Sequence, residues 1–290
     1  MVGWMDVDGE HLVTREGLHL SRRSARVGLA ASLSVVLLAP LGLATASATT
    51  LGATTAGATT SGPLVRVRDV AIHASTASTN WSGYGIGGTF SAVTGSWTVP
   101  TVAPSTGPTY SSSWIGIDGL ANQKLIQVGT ESDYVSGHVR YDAWWEVLPA
   151  AEKVIAKLPV APGDHMSASI THGTAKHWTI VLTDTTSGKK FTYTRNYKGP
   201  AASAEWIQER PLVGGSLATL ANYGSTTFTS LTANGVNPHL NSAEAISMVG
   251  NVGSRLISVP SAPSALGDAF TVAYGDSTPP APGGVTPEAG

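Results

Sequence analysis

The chain has 290 residues, 42% hydrophobic and only 12% charged, with 17 basic side chains against 19 acidic ones. So even a balance sets up no field that would gather nucleic acid or anionic lipid, and the absence of cysteine excludes thiol catalysis, thiolate zinc sites, iron–sulfur clusters and disulfides. Globular domains commonly carry about 25% charged residues, so Ser, Thr, Asn and Gly must cover this surface, which therefore changes its charge little as pH falls.

In chain order, the first segment reads as an export signal. Arg22, Arg23 and Arg26 precede an apolar run from Val27 to Leu43, and Ala44-Thr45-Ala46-Ser47-Ala48 offers small-residue cleavage sites. That succession predicts a secretory signal peptide over 1–48 and a secreted, extracellular product free of the membrane after cleavage. A Thr/Ala/Gly tract from Thr49 to Pro63, then basic–apolar alternation from Leu64 to His73, predicts a linker or propeptide over 49–74. Residues 75–275 are expected to form one domain, and the Pro/Gly-rich stretch 276–290 a disordered tail.

Within the domain the hydrophobic period is two. Strands are expected at Gly88–Val99, Tyr110–Ile117, Lys124–Thr130, Arg140–Val147 and His165–Ile170. Trp178 to Arg195 alternates on both sides of Asp184-Thr185-Thr186-Ser187-Gly188, the pattern of a hairpin. Further strands are expected at Ala204–Gln208, Thr226–Ala233, Ala245–Val249 and Phe270–Tyr274, with Leu212–Tyr223 as the one stretch where a short helix fits. Many short strands without intervening helices predict an all-β sandwich or barrel.

Several motifs are better read blandly. Gly83-Tyr84-Gly85-Ile86-Gly87-Gly88 has the spacing of a dinucleotide loop but runs into strand material instead of a helix, so a glycine-rich strand edge or turn is expected. His172 and His177 flank a turn without a third ligand at a recognisable spacing, so no metal is expected. No Gly-x-Ser-x-Gly elbow is present. Two other features carry more chemistry. Gln127 and Glu205 each interrupt apolar, β-forming neighbours; a carboxyl in such company holds its proton more tightly, and an amide donates to an oxyanion without titrating. Trp114-Ile115-Gly116-Ile117-Asp118 and Tyr141-Asp142-Ala143-Trp144-Trp145-Glu146 set acids beside aromatics, as grooves for extended peptides or sugars do.

The ordered set Asn80-Trp81-Ser82-Gly83, Trp114-Ile115-Gly116-Ile117-Asp118-Gly119, Ile126-Gln127-Val128-Gly129, Tyr141-Asp142-Ala143-Trp144-Trp145-Glu146 and Ala204-Glu205-Trp206-Ile207 resembles the glutamic peptidase (eqolisin) family. The resemblance implies a concanavalin-like sandwich of two bent, mainly antiparallel seven-stranded sheets. It also implies an acid-acting secreted endopeptidase that takes peptide or unfolded protein and needs no cofactor. Its Glu/Gln dyad would fall on Glu205 and Gln127, and Trp114, Asp118, Glu131, Asp142, Trp144 and Glu146 would be substrate-binding groove positions. Glu131 stands where the family has an aspartate, and Leu148 where it has an aromatic; family cysteines near Asn122 and Ala201 are missing. Nothing in the chain calls for an oligomer. The rival readings are a glycoside hydrolase using Glu146 and Glu205 as its two acids, and a carbohydrate-binding module that needs the aromatics alone.

Overall fold

The computed structural model describes residues 76–250 and 255–283, so the expected signal peptide and the segment 49–74 lie outside the described residues. Those residues form β1 (Thr76–Ser78), β2 (Trp81–Gly87), β3 (Ala92–Thr98), β4 (Ser112–Ile117), β5 (Ile126–Val135), β6 (His138–Val147), β7 (Lys153–Val154), β8 (His165–His172) and β9 (His177–Asp184). They continue with β10 (Lys189–Asn196), β11 (Ser203–Glu209), β12 (Leu212–Val213), β13 (Ser216–Leu217), β14 (Ser225–Ala233), β15 (Ala245–Val249), β16 (Leu256–Pro260) and β17 (Phe270–Tyr274). The helical content among them is a single 3-10 turn at Ser242–Glu244, capped by the Asn241 side chain.

The hydrogen-bonded order is β10-β9-β8-β3-β14-β17-β16, then β15-β2-β11-β4-β5-β6-β7, with β1 joined to β15 in parallel. The two halves hold seven strands each, as the resemblance implies. They are not separate sheets, however, because antiparallel pairing of β15 with β16 carries the ladder from one half into the other. The halves pack face to face. Val93 and Trp97 of β3, Ala168 and Ile170 of β8, and Ile180 and Leu182 of β9 share one core with Ile115, Ile117, Ile126, Val128 and Trp206 from the other half. Two indoles cross this core in opposite directions: Trp206 Nε1 donates to the Thr94 carbonyl at 2.7 Å, and Trp97 Nε1 to Thr130 Oγ1 at 2.9 Å.

The expected strands are present with ends displaced by a few residues, and the hairpin β9–β10 pairs Asp184 with Lys189 as its turn chemistry predicts. Two expectations change. Gly83–Gly87 is not a sheet edge: it lies in β2, an interior strand between β15 and β11, and only Gly88 bends away past its end. Gly83, at φ 145°, passes so close that an added Cβ would lie 2.2 Å from the Trp206 carbonyl oxygen. Leu212–Tyr223 is not helical, because Gly214 and Gly215, with φ of 60° and 81°, form the two-residue turn of the hairpin β12–β13; two successive positive φ angles select that turn. The tail begins in order, with Asp276 held by Arg255 at 2.7 Å.

Gly95 shows how tightly the halves meet. A Cβ there would lie 2.9 Å from Trp206 Cδ1 and 3.1 Å from Ile115 Cγ2. We expect Gly95→Ala to destabilise the protein by about 1–3 kcal/mol through overpacking, measured as a lowered urea midpoint; an unchanged midpoint would contradict this close contact.

Candidate active site

Strands β4 and β11 of the second half are buried on both faces, and the outward face of this half carries the polar residues. Along β11 the core side takes Ala204 and Trp206, which leaves Glu205, Ile207 and Glu209 facing outward. The ladder register aligns these with neighbours in rows. Glu205 pairs with Gly85 on one side and Gly116 on the other, Gly116 pairs with Gln127, and Gln127 with Glu146. Laterally paired residues project to the same face, so Glu205, Gln127 and Glu146 form one row. The backbones of Glu205 and Gln127 are two strand spacings apart, about 10 Å. The place a side chain would take on Gly116 is filled by the edge of the Trp114 ring and by Leu125.

Glu205 is 0% exposed, and neither carboxyl oxygen has a hydrogen-bond partner. Burial, offset in part by the neighbouring Ser203 hydroxyl and reinforced by the charge of Asp118, holds its pKa well above the ordinary carboxyl range. Leu120 packs over Gly85 beside it. Gln127 donates Nε2–H to Glu146 Oε2 at 2.6 Å, while its own carbonyl oxygen is buried and unpartnered. Gln127, Trp144 and Glu146 line a cleft of about 260 Å³, together with Glu152, Glu209 and Ser112; Glu205 does not reach it.

Trp114 and Trp81 meet edge to face beneath this region, with ring centroids 5.1 Å apart. Both indoles are anchored on Glu209, which sequence reasoning missed. Its Oε2 accepts from Trp114 Nε1 at 2.7 Å, and its Oε1 from Trp81 Nε1 at 3.2 Å and Asn80 Nδ2 at 3.0 Å. Burial pushes Glu209 up to about 7 in spite of these donors. Its spacing of two residues from Ile207 and four from Glu205 was the available signal.

The remaining candidates separate. Asp118 is 0% exposed and accepts from the Tyr197 hydroxyl, the Ala201 and Ala202 amides and Asn122 Nδ2. Both of its oxygens are thus engaged within the protein. Glu131 and Asp142 share a lateral row with the cleft residues Ser112 and Glu209, and both pair with the exposed Arg140, at 3.0 and 2.9 Å; Glu131 itself is buried. His172 and His177 bond carbonyls of their own turn. Among the described residues no group of three His, Asp or Glu side chains is placed to hold a metal ion.

The Peptidase A4 family matches residues 79–274. Aspergillopepsin-2 of Aspergillus niger is 30% identical over 223 residues, covering 68% of this chain and 78% of that protein. The crystal structure of aspergilloglutamic peptidase from Aspergillus niger is 28% identical and covers 57% of this chain and 99% of its own, with a TM-score of 0.51. Two structures of scytalido-glutamic peptidase are similar in fold, one with a transition state analog inhibitor and one with a peptide based transition state analog. They are 20% and 21% identical, each covers 68% of this chain and 98% of its own, and their TM-scores are 0.56 and 0.54.

The buried carboxyls in and near the cleft share one electrostatic bias. Burial, and then the charge of Glu131, push Asp133 to about 7 and Glu152 to about 8; Glu131, Glu146 and Glu205 are raised by burial as well. Raised folded-state values mean that the folded protein binds more protons than the unfolded chain. The stability this contributes is complete below the ordinary carboxyl pKa, near 4, and is lost as pH rises through 7 to 8. We expect Tm to fall on the order of 10 °C from pH 4 to pH 8, followed by calorimetry; a flat or rising Tm would count against these buried neutral carboxyls.

Proposed function

The chain belongs to the peptidase A4 family and is a glutamic-type endopeptidase; from that premise we propose that it hydrolyses peptide bonds through Glu205 and Gln127. The observation that supports this reading is the cross-strand row itself, in which both side chains are buried with unpartnered acceptor oxygens on one face. Ionised Glu205 takes a proton from water, which attacks the scissile carbonyl. Gln127 donates an amide N–H to the oxyanion. Glu205 then passes its proton to the leaving amine. A carboxyl whose proton affinity is raised by burial is a stronger base when ionised and still holds its proton in acid when the amine departs. General acid–base action contributes about 10²–10⁴-fold and one oxyanion donor about 10²–10³-fold, a large share of a hydrolase rate without metal or covalent intermediate.

Substrate peptide lies extended along the outward face, with Trp144 and the cleft carboxyls as its contacts. A signal over 1–48 exports the enzyme, and 49–74 acts as a propeptide whose Arg66, Arg68 and His73 pair with cleft carboxylates until acid protonates them. Sugar hydrolysis by Glu146 and Glu205 fits poorly, since Gly116 and the Gln127 side chain stand between them in the row, whereas glycosidase carboxyls flank one scissile bond.

We expect Glu205→Gln and Gln127→Ala each to lower casein cleavage at pH 3–4 by at least about 10²-fold while circular dichroism stays unchanged. Normal activity in either variant would sink the dyad, and cleavage of a β-glucan in its place would revive the glycosidase.

A further inference from the structure

The hydrogen bond between Gln127 and Glu146 has a direction. Gln127 Nε2 donates to Glu146 Oε2 at 2.6 Å, and Gln127 Oε1, also buried, bonds nothing. An ionised carboxyl only accepts, so it draws the NH₂ side of the amide towards itself. In the row, Glu146 stands on one side of Gln127, while Gly116 and then Glu205 stand on the other. An amide that turns its NH₂ to Glu146 therefore turns its carbonyl oxygen to the side where Glu205 acts. That orientation meets a developing oxyanion with a carbonyl dipole of the wrong sign.

A protonated Glu146 gains a donor, which lets the bond reverse. Its O–H donates to Gln127 Oε1, the amide turns over by rotation about its last side-chain torsion, and the NH₂ group faces the reacting carbonyl. We propose that Glu146 is a positioning residue that sets which face of the Gln127 amide the substrate meets, productive when Glu146 carries a proton and unproductive when it does not. The proposal rests on the Glu205–Gln127 reading and adds what that reading lacks. A carboxylate base acting alone works better as pH rises; an acid optimum requires a second group that must stay protonated, and Glu146 supplies it.

The surroundings of Glu146 favour its proton. Glu152 faces it from the connection between β6 and β7, and Glu209 from β11; both line the same cleft. Glu131 lies farther along β5, and Glu205 beyond Gly116 in its own row. Arg140 is engaged by Glu131 and Asp142, and no Lys or Arg lines the cleft. Burial raises the Glu146 pKa, with the Gln127 bond and the Glu152 backbone offsetting part of the effect.

The test is kcat/KM from pH 3 to pH 8 for the wild type, Glu146→Gln and Gln127→Ala. Glutamine at 146 does not titrate and can always donate to Gln127 Oε1. We expect the ratio of activity at pH 7 to that at pH 4 to rise at least about tenfold in Glu146→Gln, carried by kcat rather than KM, because the interaction is made in the transition state. An alkaline limb identical to the wild type, with Gln127→Ala inactive, overturns the switch and leaves the dyad standing. Full activity in Gln127→Ala removes the dyad and the switch with it. Should Glu146→Gln fail to fold, the wild type still decides. The Gln127 side-chain amide, assigned in ¹⁵N–¹H spectra by its loss in Gln127→Ala, should shift along the alkaline limb of activity, and a resonance that stays fixed from pH 3 to pH 8 overturns the proposal.

Discussion

Strand β11 is buried along its whole length and carries two carboxyl groups, Glu205 and Glu209, on its outward face. Taking a carboxylate out of water costs several kcal/mol, so burial raises the proton affinity of Glu205, with the Ser203 hydroxyl offsetting part of the effect. Trp206 holds this arrangement in place. Its indole fills the space over Gly95 and donates across the core to Thr94. A slip of one residue in β11 would exchange the faces, sending Trp206 outward and Glu205 into the core between the halves. Core packing therefore sets the register, and the register places Glu205 in line with Gly116, Gln127 and Glu146. The geometry of the chemistry follows from a hydrophobic contact on the opposite side of the sheet.

Within this frame the two buried acids near the start of β11 are treated oppositely. Asp118 is saturated with donors from Tyr197, Ala201, Ala202 and Asn122, whereas Glu205 has none. Environments that diverge so far assign separate duties to chemically similar groups. Asp118 also explains how the chain manages without cysteine. The Asn122 side chain and the Ala201 amide, at or near the positions where the resemblance places family cysteines, both donate to this one carboxyl. Hydrogen bonds to a charged group contribute about 1.5–3 kcal/mol each, comparable together with the 2–4 kcal/mol typical of a disulfide.

Much of the fold and part of the site were legible in the chain. Gln127 and Glu205 stand out because each breaks an apolar β pattern, and the five blocks in order single them out from other polar residues. Their common row was not legible, because it depends on pairing through β4 between segments far apart in sequence. Glu209 was hidden for the same reason, its partners Trp114 and Asn80 lying 95 and 129 positions away. Asp118 reads as a rim acid beside Trp114, and only its positive φ of 72° and the folded-back Tyr197–Ala202 segment show it as interior. Gly83 and Gly85 suggested an edge because glycine weakens strands. Here the close approach of β11 and the packing of Leu120 leave no room for side chains.

The amide at position 127 is the one member of the row besides glycine that does not titrate, and its neighbours show why that matters. Gln127 lies directly opposite Glu146 in the ladder, and like charges in directly opposed positions destabilise a sheet. A carboxyl at 127 would put a third acid into a row that already holds Glu146 and Glu205, and each would raise the others' proton affinity further. Its donor would also disappear as it ionised. An amide keeps both a donor and an acceptor at every pH, so protonation changes only which of the two Glu146 calls for. The acids around the cleft bind the protons, and the residue that cannot bind one turns their state into an orientation.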